Sequence, residues 1–362
     1  MSRRTVALLF GGRSSEHAVS CATAGGVLAA IDRDRWNVVA VGIGQDGSWT
    51  LQSDEPDHWA MHDGVMAQVQ PSATRVHLPV AAGQGMWRQE RDGHISDLAH
   101  VDVVFPLLHG PWGEDGTVQG ALELLDVRYV GAGVLASAVG MDKQYMKMAF
   151  RAAGLPVADD VVLTPGADLA QCRDRIEALG LPVFVKPARA GSSMGISRVD
   201  AWEDLEAAVA AAAAHDPKVL VERAIAGREI ETAVLGARDG VRTSAPGEIV
   251  ALGDQAFYDF ESKYVDAAAV RLDCPADLPQ ADAERIRVLA ARAFEAVSAE
   301  GIARVDVFYA DDSTVTVNEI NTMPGFTPSS MYPRMWQAAG VTYAELIEEL
   351  LASALARHTG LR

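Results

Sequence analysis

Arg304-Val305-Asp306 and, a short turn later, Val315-Thr316-Val317-Asn318-Glu319-Ile320-Asn321 are the stretches on which the fold turns. Both have the alternation of β-strands, in which every second side chain lies on one face. Arg304 and Asp306 therefore share a face, as do Glu319 and Asn321. Val305, Val307, Val315 and Val317 mark strands buried on at least one side, which disfavours a solvated sheet face carrying an ordinary ion pair. Two adjacent strands thus present two carboxylates, an amide and a guanidinium together. That is an oxygen-rich site for Mg²⁺ with a built-in anion clamp, the arrangement that neutralises a transferring phosphoryl group.

Upstream, Val185-Lys186-Pro187-Ala188-Arg189-Ala190-Gly191-Ser192-Ser193-Met194-Gly195 delivers a lysine from a strand into a glycine- and serine-rich loop. Such a loop offers hydroxyls, backbone N–H donors and a nearby cation to phosphates. Alone it reads equally well as a surface loop; the two strands downstream favour the phosphate reading. Gly131-Ala132-Gly133-Val134-Leu135-Ala136 matches the dinucleotide pattern GxGxxA, but position 151, where a ribose-holding acid would fall, is arginine. The match also comes late in its sheet, so it reads as a tight strand-to-helix turn. No GxxxxGK[ST] phosphate loop occurs.

The 362 residues carry 31 Lys+Arg against 49 Asp+Glu, a net charge of −18, which disfavours nucleic-acid and anionic-membrane partners. Length suggests two or three domains, and 49% hydrophobic with 22% charged residues is globular usage. Cys21, Cys172 and Cys274 are scattered, which fits a reducing compartment and no disulfide framework or thiolate zinc site. Thr5–Phe10 is too short for a signal core and reads as a first buried strand. No apolar run is long enough to span a bilayer, so a cytoplasmic protein is expected.

The rhythm changes along the chain. Strand-like runs at Thr5–Phe10, Asn37–Ile43, Val101–Leu107 and Arg128–Val130 alternate with helical stretches at Val19–Ile31 and Thr117–Leu125. This predicts an open, mostly parallel sheet within residues 1–140. The stretch from Pro56 to His94 reads as a hairpin-like insertion whose tryptophans pack. Residues 141–227 predict a small α+β unit: helices at Met141–Ala153, Leu169–Leu179 and Trp202–His215, strands at Ala158–Leu163, Val183–Lys186 and Val219–Glu222. Residues 228–362 predict a second α+β unit with strands at Glu229–Leu235, Gly247–Val250, Ala303–Tyr309 and Thr314–Glu319 and helices at Ala281–Ala299 and Tyr343–Ala356.

The lysine before its Gly/Ser loop, with the R-x-D and N-E-x-N strands, resembles the ATP-grasp superfamily. Over essentially the whole chain the likeness is to D-alanine–D-alanine ligases. It rests on Gly11-Gly12-Arg13-Ser14-Ser15-Glu16-His17, His109-Gly110-Pro111-Trp112-Gly113-Glu114-Asp115-Gly116, Met141-Asp142-Lys143, Lys263-Tyr264 and Asn321-Thr322-Met323-Pro324-Gly325-Phe326-Thr327. The resemblance implies a three-domain α/β architecture with ATP between the last two domains. It implies ATP-dependent joining of two D-alanines through an acyl phosphate, for peptidoglycan. Lys143 and Lys186 are then expected on the phosphates, Glu222 and Glu229 on adenine and ribose, and Ser192, Ser193 and Asn318 among the other ATP-binding residues. Asp306, Glu319 and Asn321 are expected to carry two Mg²⁺, with Mn²⁺ able to substitute and K⁺ a further requirement of some relatives.

By the same resemblance Glu16 takes the ammonium of the first D-alanine, a role a helix-capping carboxylate could otherwise fill structurally, and His109 lines that subsite. Ser330 and Met331 take the second D-alanine's carboxylate. Arg304 and the Gly325 N–H stabilise the tetrahedral intermediate. Gly253–Asp266 resembles the family's ω-loop, and its Tyr264 joins Ser192 and Glu16 in a latch over the substrates, with Lys263 beside it. The Lys263-Tyr264 pair favours an amine acceptor over D-lactate. Ala18 stands where many members have glutamate, which leaves the role of His17 open. A homodimer is expected from the family. The competing readings are a D-lactate or D-serine ligase, an inactive ATP-binding protein, and a nicotinamide oxidoreductase resting on the Gly131 turn alone.

Overall fold

The computed structural model describes residues 3–61, 64–192, 194–237, 240–251 and 270–359. Its strands form three sheets among the described residues. The first unit runs β1 (Arg4–Gly11), α1 (His17–Ala30), β2 (Trp36–Ile43), β3 (Trp49–Leu51), β4 (Thr74–His77), β5 (Met86–Arg91), β6 (His94–His100), β7 (Val103–Pro106), α2 (Thr117–Leu124) and α3 (Val134–Met141). Its sheet has the order β6-β5-β4-β3-β2-β1-β7. β1 pairs parallel with β2 and β7, whereas β3 to β6 extend the edge in antiparallel register.

The sheet is thus mixed, and the expectation of a mostly parallel one is corrected. The turn-rich stretch contributes strands of its own, including a β5–β6 hairpin turning at Asp92 and Gly93, both with positive φ. Arg128–Val130 supplies only a parallel bridge, Val104 to Tyr129. β1 is buried on both faces: Val6, Leu8 and Phe10 join one core and Ala7 and Leu9 another, which explains its unbroken apolar run. Trp59 and Trp87 are buried, Trp59 edge-on to Phe10.

The second sheet, β10-β9-β11-β8, is antiparallel. It comprises β8 (Asp160–Leu163), β9 (Val183–Pro187), β10 (Ser197–Val199) and β11 (Val219–Arg223), with α5 (Leu169–Glu177) and α6 (Leu205–Ala213) closing its core. The helix expected over Met141–Ala153 is broken at Asp142, whose carboxylate accepts from the Gln144 and Tyr145 N–H groups and starts α4 (Lys143–Ala152) afresh.

The third sheet has the order β15-β14-β12-β16-β17 with β13 beside β12. These strands are β12 (Arg228–Ala237), β13 (Gly240–Thr243), β14 (Gly247–Ala251), β15 (Val270–Asp273), β16 (Gly301–Tyr309) and β17 (Val315–Asn321). Alternation divides β12: Ile230 and Val234 face α7 (Gln280–Ala296), while Ala233 and Leu235 face α8 (Met331–Ala338) and α9 (Tyr343–Ala356). Leu346, Ile347 and Leu350 of α9 share a core with Val103 and Phe105 of the first sheet, which brings the two sheets' loops to one cleft. The glycine turn at 131–133 packs against Gly301, a structural role for the GxGxxA match.

Candidate active site

The loop ends of the three sheets enclose a cavity of about 1260 Å³ among the described residues. At its first wall, β1 ends in Gly11, whose φ of +85° and approach to the Ile43 carbonyl leave no room for a Cβ. The turn delivers Glu16 to the start of α1, where helix N–H groups favour negative charge. Glu16 is buried, with Gly110 packed so closely that a Cβ there would lie 2.7 Å from Oε2. The Ser192 hydroxyl donates to Glu16 Oε1 at 2.5 Å, joining residues 176 positions apart. Ser192 adopts a φ of +50°, an uncommon backbone state for serine that the surrounding loop must hold.

His109 donates from Nδ1 to the Met323 carbonyl at 3.0 Å, so Nε2 accepts from the Thr23 hydroxyl at 3.3 Å. Burial pulls its pKa down against the attraction of Glu16, keeping the ring neutral. His17, left open by the sequence, donates to the Gly12 carbonyl at 2.6 Å and accepts from the Val69 N–H at 3.0 Å. It ties the glycine turn to a neighbouring loop.

The second wall is a charge lattice. In the β9–β11 register Lys186 lies diagonally from Glu222, and in the β11–β8 register Asp160 lies directly opposite it. Like charges opposite one another repel, and buried Lys147 of α4 relieves this by pairing with both Glu222 and Asp160. Lys186 pairs with the second Glu222 oxygen. Burial alone would neutralise Glu222, but Lys186 and Lys147 outweigh it and hold the carboxyl below the usual range. Conversely, burial of Lys186 is outweighed by Glu222, which raises its pKa. Lys143, one turn before Lys147, donates to the Ala190 carbonyl at 3.1 Å and lies 3.4 Å from Glu319.

At the third wall, Arg304 grips Asp306 through two hydrogen bonds of 2.7 Å, and its Nε lies 3.2 Å from Glu231. Burial is outweighed by these carboxylates, which keep the guanidinium firmly protonated. Asn321 donates to Asp306 at 3.1 Å, and Glu319 lies opposite Asp306 in the strand register. The register slips after Asp306, leaving Asn318 as the extra residue of a bulge. The bulge lets consecutive Asn318 and Glu319 both line the cavity. Among the described residues no group of three or more His, Cys, Asp or Glu is placed to hold a metal. Two carboxylates and an amide, completed by substrate phosphates, nevertheless fit the hard oxygen ligation of Mg²⁺.

Glu229, Gly325, Ser330 and Met331 line the same cavity. The Ser330 hydroxyl accepts from the Thr327 N–H at 3.1 Å, while the Met331 side chain packs against Gly247 and its backbone N–H opens a helix. Ser193, Lys263 and Tyr264 lie outside the described residues. Sequence reasoning missed Lys147 and Glu114. The first carried a signal in its helical spacing from Lys143, the second in the segment around His109.

Family profiles bear directly on this geometry. The D-ala D-ala ligase N-terminus profile matches residues 5–132 and the D-ala D-ala ligase C-terminus profile residues 149–352. The chain belongs to the D-alanine–D-alanine ligase family. It is 57% identical to the D-alanine–D-alanine ligase of Arthrobacter sp. (strain FB24), covering 99% of this chain and 95% of that one. It is 53% identical to the corresponding ligase of Mycolicibacterium smegmatis, covering 99% and 98%. Among solved structures, the D-alanine–D-alanine ligase from Coxiella burnetii superposes with a TM-score of 0.83 at 33% identity over 99% of this chain and 95% of that one. The VanG D-Ala:D-Ser ligase from Enterococcus faecalis superposes with a TM-score of 0.84 at 31% identity over 98% and 100%. The family has the ATP-grasp fold and is ATP-dependent with a divalent metal, as the resemblance implied.

Proposed function

We propose that the chain joins two D-alanines into D-alanyl-D-alanine through an acyl phosphate, releasing ADP and phosphate and supplying a peptidoglycan precursor. The observation that carries this reading is the convergence of Glu16, Ser192 and the Arg304–Asp306–Asn321 group on one cavity. A carboxylate oxygen is a poor leaving group, so one D-alanine carboxylate first attacks the γ-phosphorus of ATP and ADP departs. The second D-alanine's amine then attacks the acyl carbon, and phosphate leaves from the tetrahedral intermediate.

In this scheme Glu16 holds the first ammonium and His109 closes its subsite. Lys143 and Lys186 neutralise phosphate charge, Ser192, Ser193 and Asn318 add uncharged contacts to ATP, and Glu222 and Glu229 meet adenine and ribose. Asp306, Glu319 and Asn321 would hold two Mg²⁺, replaceable by Mn²⁺, which when bound spread the charge of the transferring phosphoryl group. Arg304 and the Gly325 N–H face the oxygen of the tetrahedral intermediate, and Ser330 with the Met331 N–H orients the second carboxylate. Lys263 and Tyr264 keep their implied place in the latch. K⁺ activation, a homodimer, a cytoplasmic location and domain borders near residues 140 and 227 complete the proposal.

A D-serine acceptor is the second reading, since the superposable VanG enzyme is a D-Ala:D-Ser ligase. Competition decides between them: equal D-alanine, D-serine and D-lactate are supplied with ATP and Mg²⁺, and products are weighed. D-alanyl-D-alanine should dominate; a dominant D-serine or D-lactate product would overturn the acceptor assignment.

A further inference from the structure

Met323 is gripped on both sides by side chains of the loop between β7 and α2. Its N–H donates to Glu114 Oε1 at 3.1 Å, and its carbonyl accepts from His109 Nδ1 at 3.0 Å. Glu114 is itself anchored, its Oε2 accepting from the Gly110 N–H at 2.5 Å. Two consecutive peptides of the strand-end segment are thereby fixed by a loop some two hundred residues away in sequence.

The next residue is Pro324, whose ring fixes φ and which has no N–H to rearrange. Gly325 follows. One residue beyond, the Phe326 carbonyl accepts from the Tyr343 hydroxyl at 2.6 Å. The Gly325 N–H therefore sits in a short stretch pinned at Met323, stiffened at Pro324 and pinned again at Phe326. Glycine by itself is the least constrained residue, so a fixed N–H direction at this position has to be imposed from outside.

We propose that Glu114 is a positioning residue for the peptide-forming step: with His109 it holds Met323 so that the Gly325 N–H points where the tetrahedral intermediate's oxygen develops. This rests on the functional reading above and assigns a role to a side chain that reading leaves unused. Donors aimed in advance stabilise developing charge without reorganising during the reaction. A clamp of this kind affects attack on the acyl phosphate, whereas phosphoryl transfer from ATP depends on Lys143, Lys186 and the metal carboxylates.

The test follows the two steps separately in single turnovers, ADP as the readout of the first and dipeptide as that of the second. Glu114→Gln keeps shape but turns an amide NH₂ toward one of the two N–H groups. Its ADP formation should stay within about twofold of wild type while dipeptide formation slows about tenfold, the effect of one lost hydrogen bond. Tyr343→Phe releases the other pin and should give the same split; it decides the matter if the glutamine variant does not fold. Equal slowing of both steps, or of neither, would overturn the inference. A wild-type chain that makes no D-alanyl-D-alanine sinks the functional reading before either variant is compared.

Discussion

Ser192 and Glu16 meet through one hydrogen bond of 2.5 Å, which ties the Gly/Ser loop to the start of α1. A hydrogen bond to a charged partner contributes about 1.5–3 kcal/mol. Ser192→Ala should therefore lower kcat/KM for D-alanine roughly 10- to 100-fold, measured by phosphate release at varied D-alanine. An unchanged value would remove this contact from the mechanism. Glu114 supplies a second prediction. Burial and the charge of Glu16 push its carboxyl from 4.5 up to about 8. Between those values the folded chain binds a proton that the unfolded chain has released, so stability falls as pH rises through the window. Glutamine carries no such proton. The Tm of wild type relative to Glu114→Gln should thus decline from about pH 5 to about pH 8; a constant difference would refute the raised pKa.

At the scale of elements, much depends on where α4 begins. Asp142 caps the helix and also pairs with buried Lys218, whose backbone accepts from the Ala188 N–H at the root of the Gly/Ser loop. Asp142→Ala removes the cap, about 1 kcal/mol, and takes the carboxylate from a buried ammonium left with Gln144 and the Tyr145 ring, up to about 3 kcal/mol. Asp142→Asn should recover only the cap portion. Thermal unfolding of both variants checks this order, and equal Tm values would contradict it. The strands bearing Arg304, Asp306, Glu319 and Asn321 were readable because alternation is local and apolar residues reported their burial. Lys147 was not, since its partners Glu222 and Asp160 are set by strand pairing; Glu222 lies 75 residues away. Glu114 was hidden because the Met323 N–H it accepts from lies 209 residues away. The antiparallel edge, β3 to β6, escaped because its strands are short or exposed and lack a clear apolar period.

On the scale of the molecule, the three sheets each contribute one wall, and every described site residue taken from the sequence lines the shared cavity. The family likeness made that convergence legible, whereas residue patterns alone singled out Lys186, Arg304, Asp306, Glu319 and Asn321 but not Glu222 and Glu229. The α9 helix joins first and third sheets through a common core, so loops carrying His109 and Gly325 are held together by packing as well as by hydrogen bonds. Among the described residues no helix is long and apolar enough to cross a membrane.

An acyl phosphate intermediate is the central claim, and oxygen labelling tests it most directly. D-alanine labelled with ¹⁸O in its carboxylate is supplied with ATP and Mg²⁺, and the released phosphate is weighed. Phosphate carrying one ¹⁸O, formed with ADP and D-alanyl-D-alanine, is the expected result. Unlabelled phosphate, or label found in AMP, would contradict it.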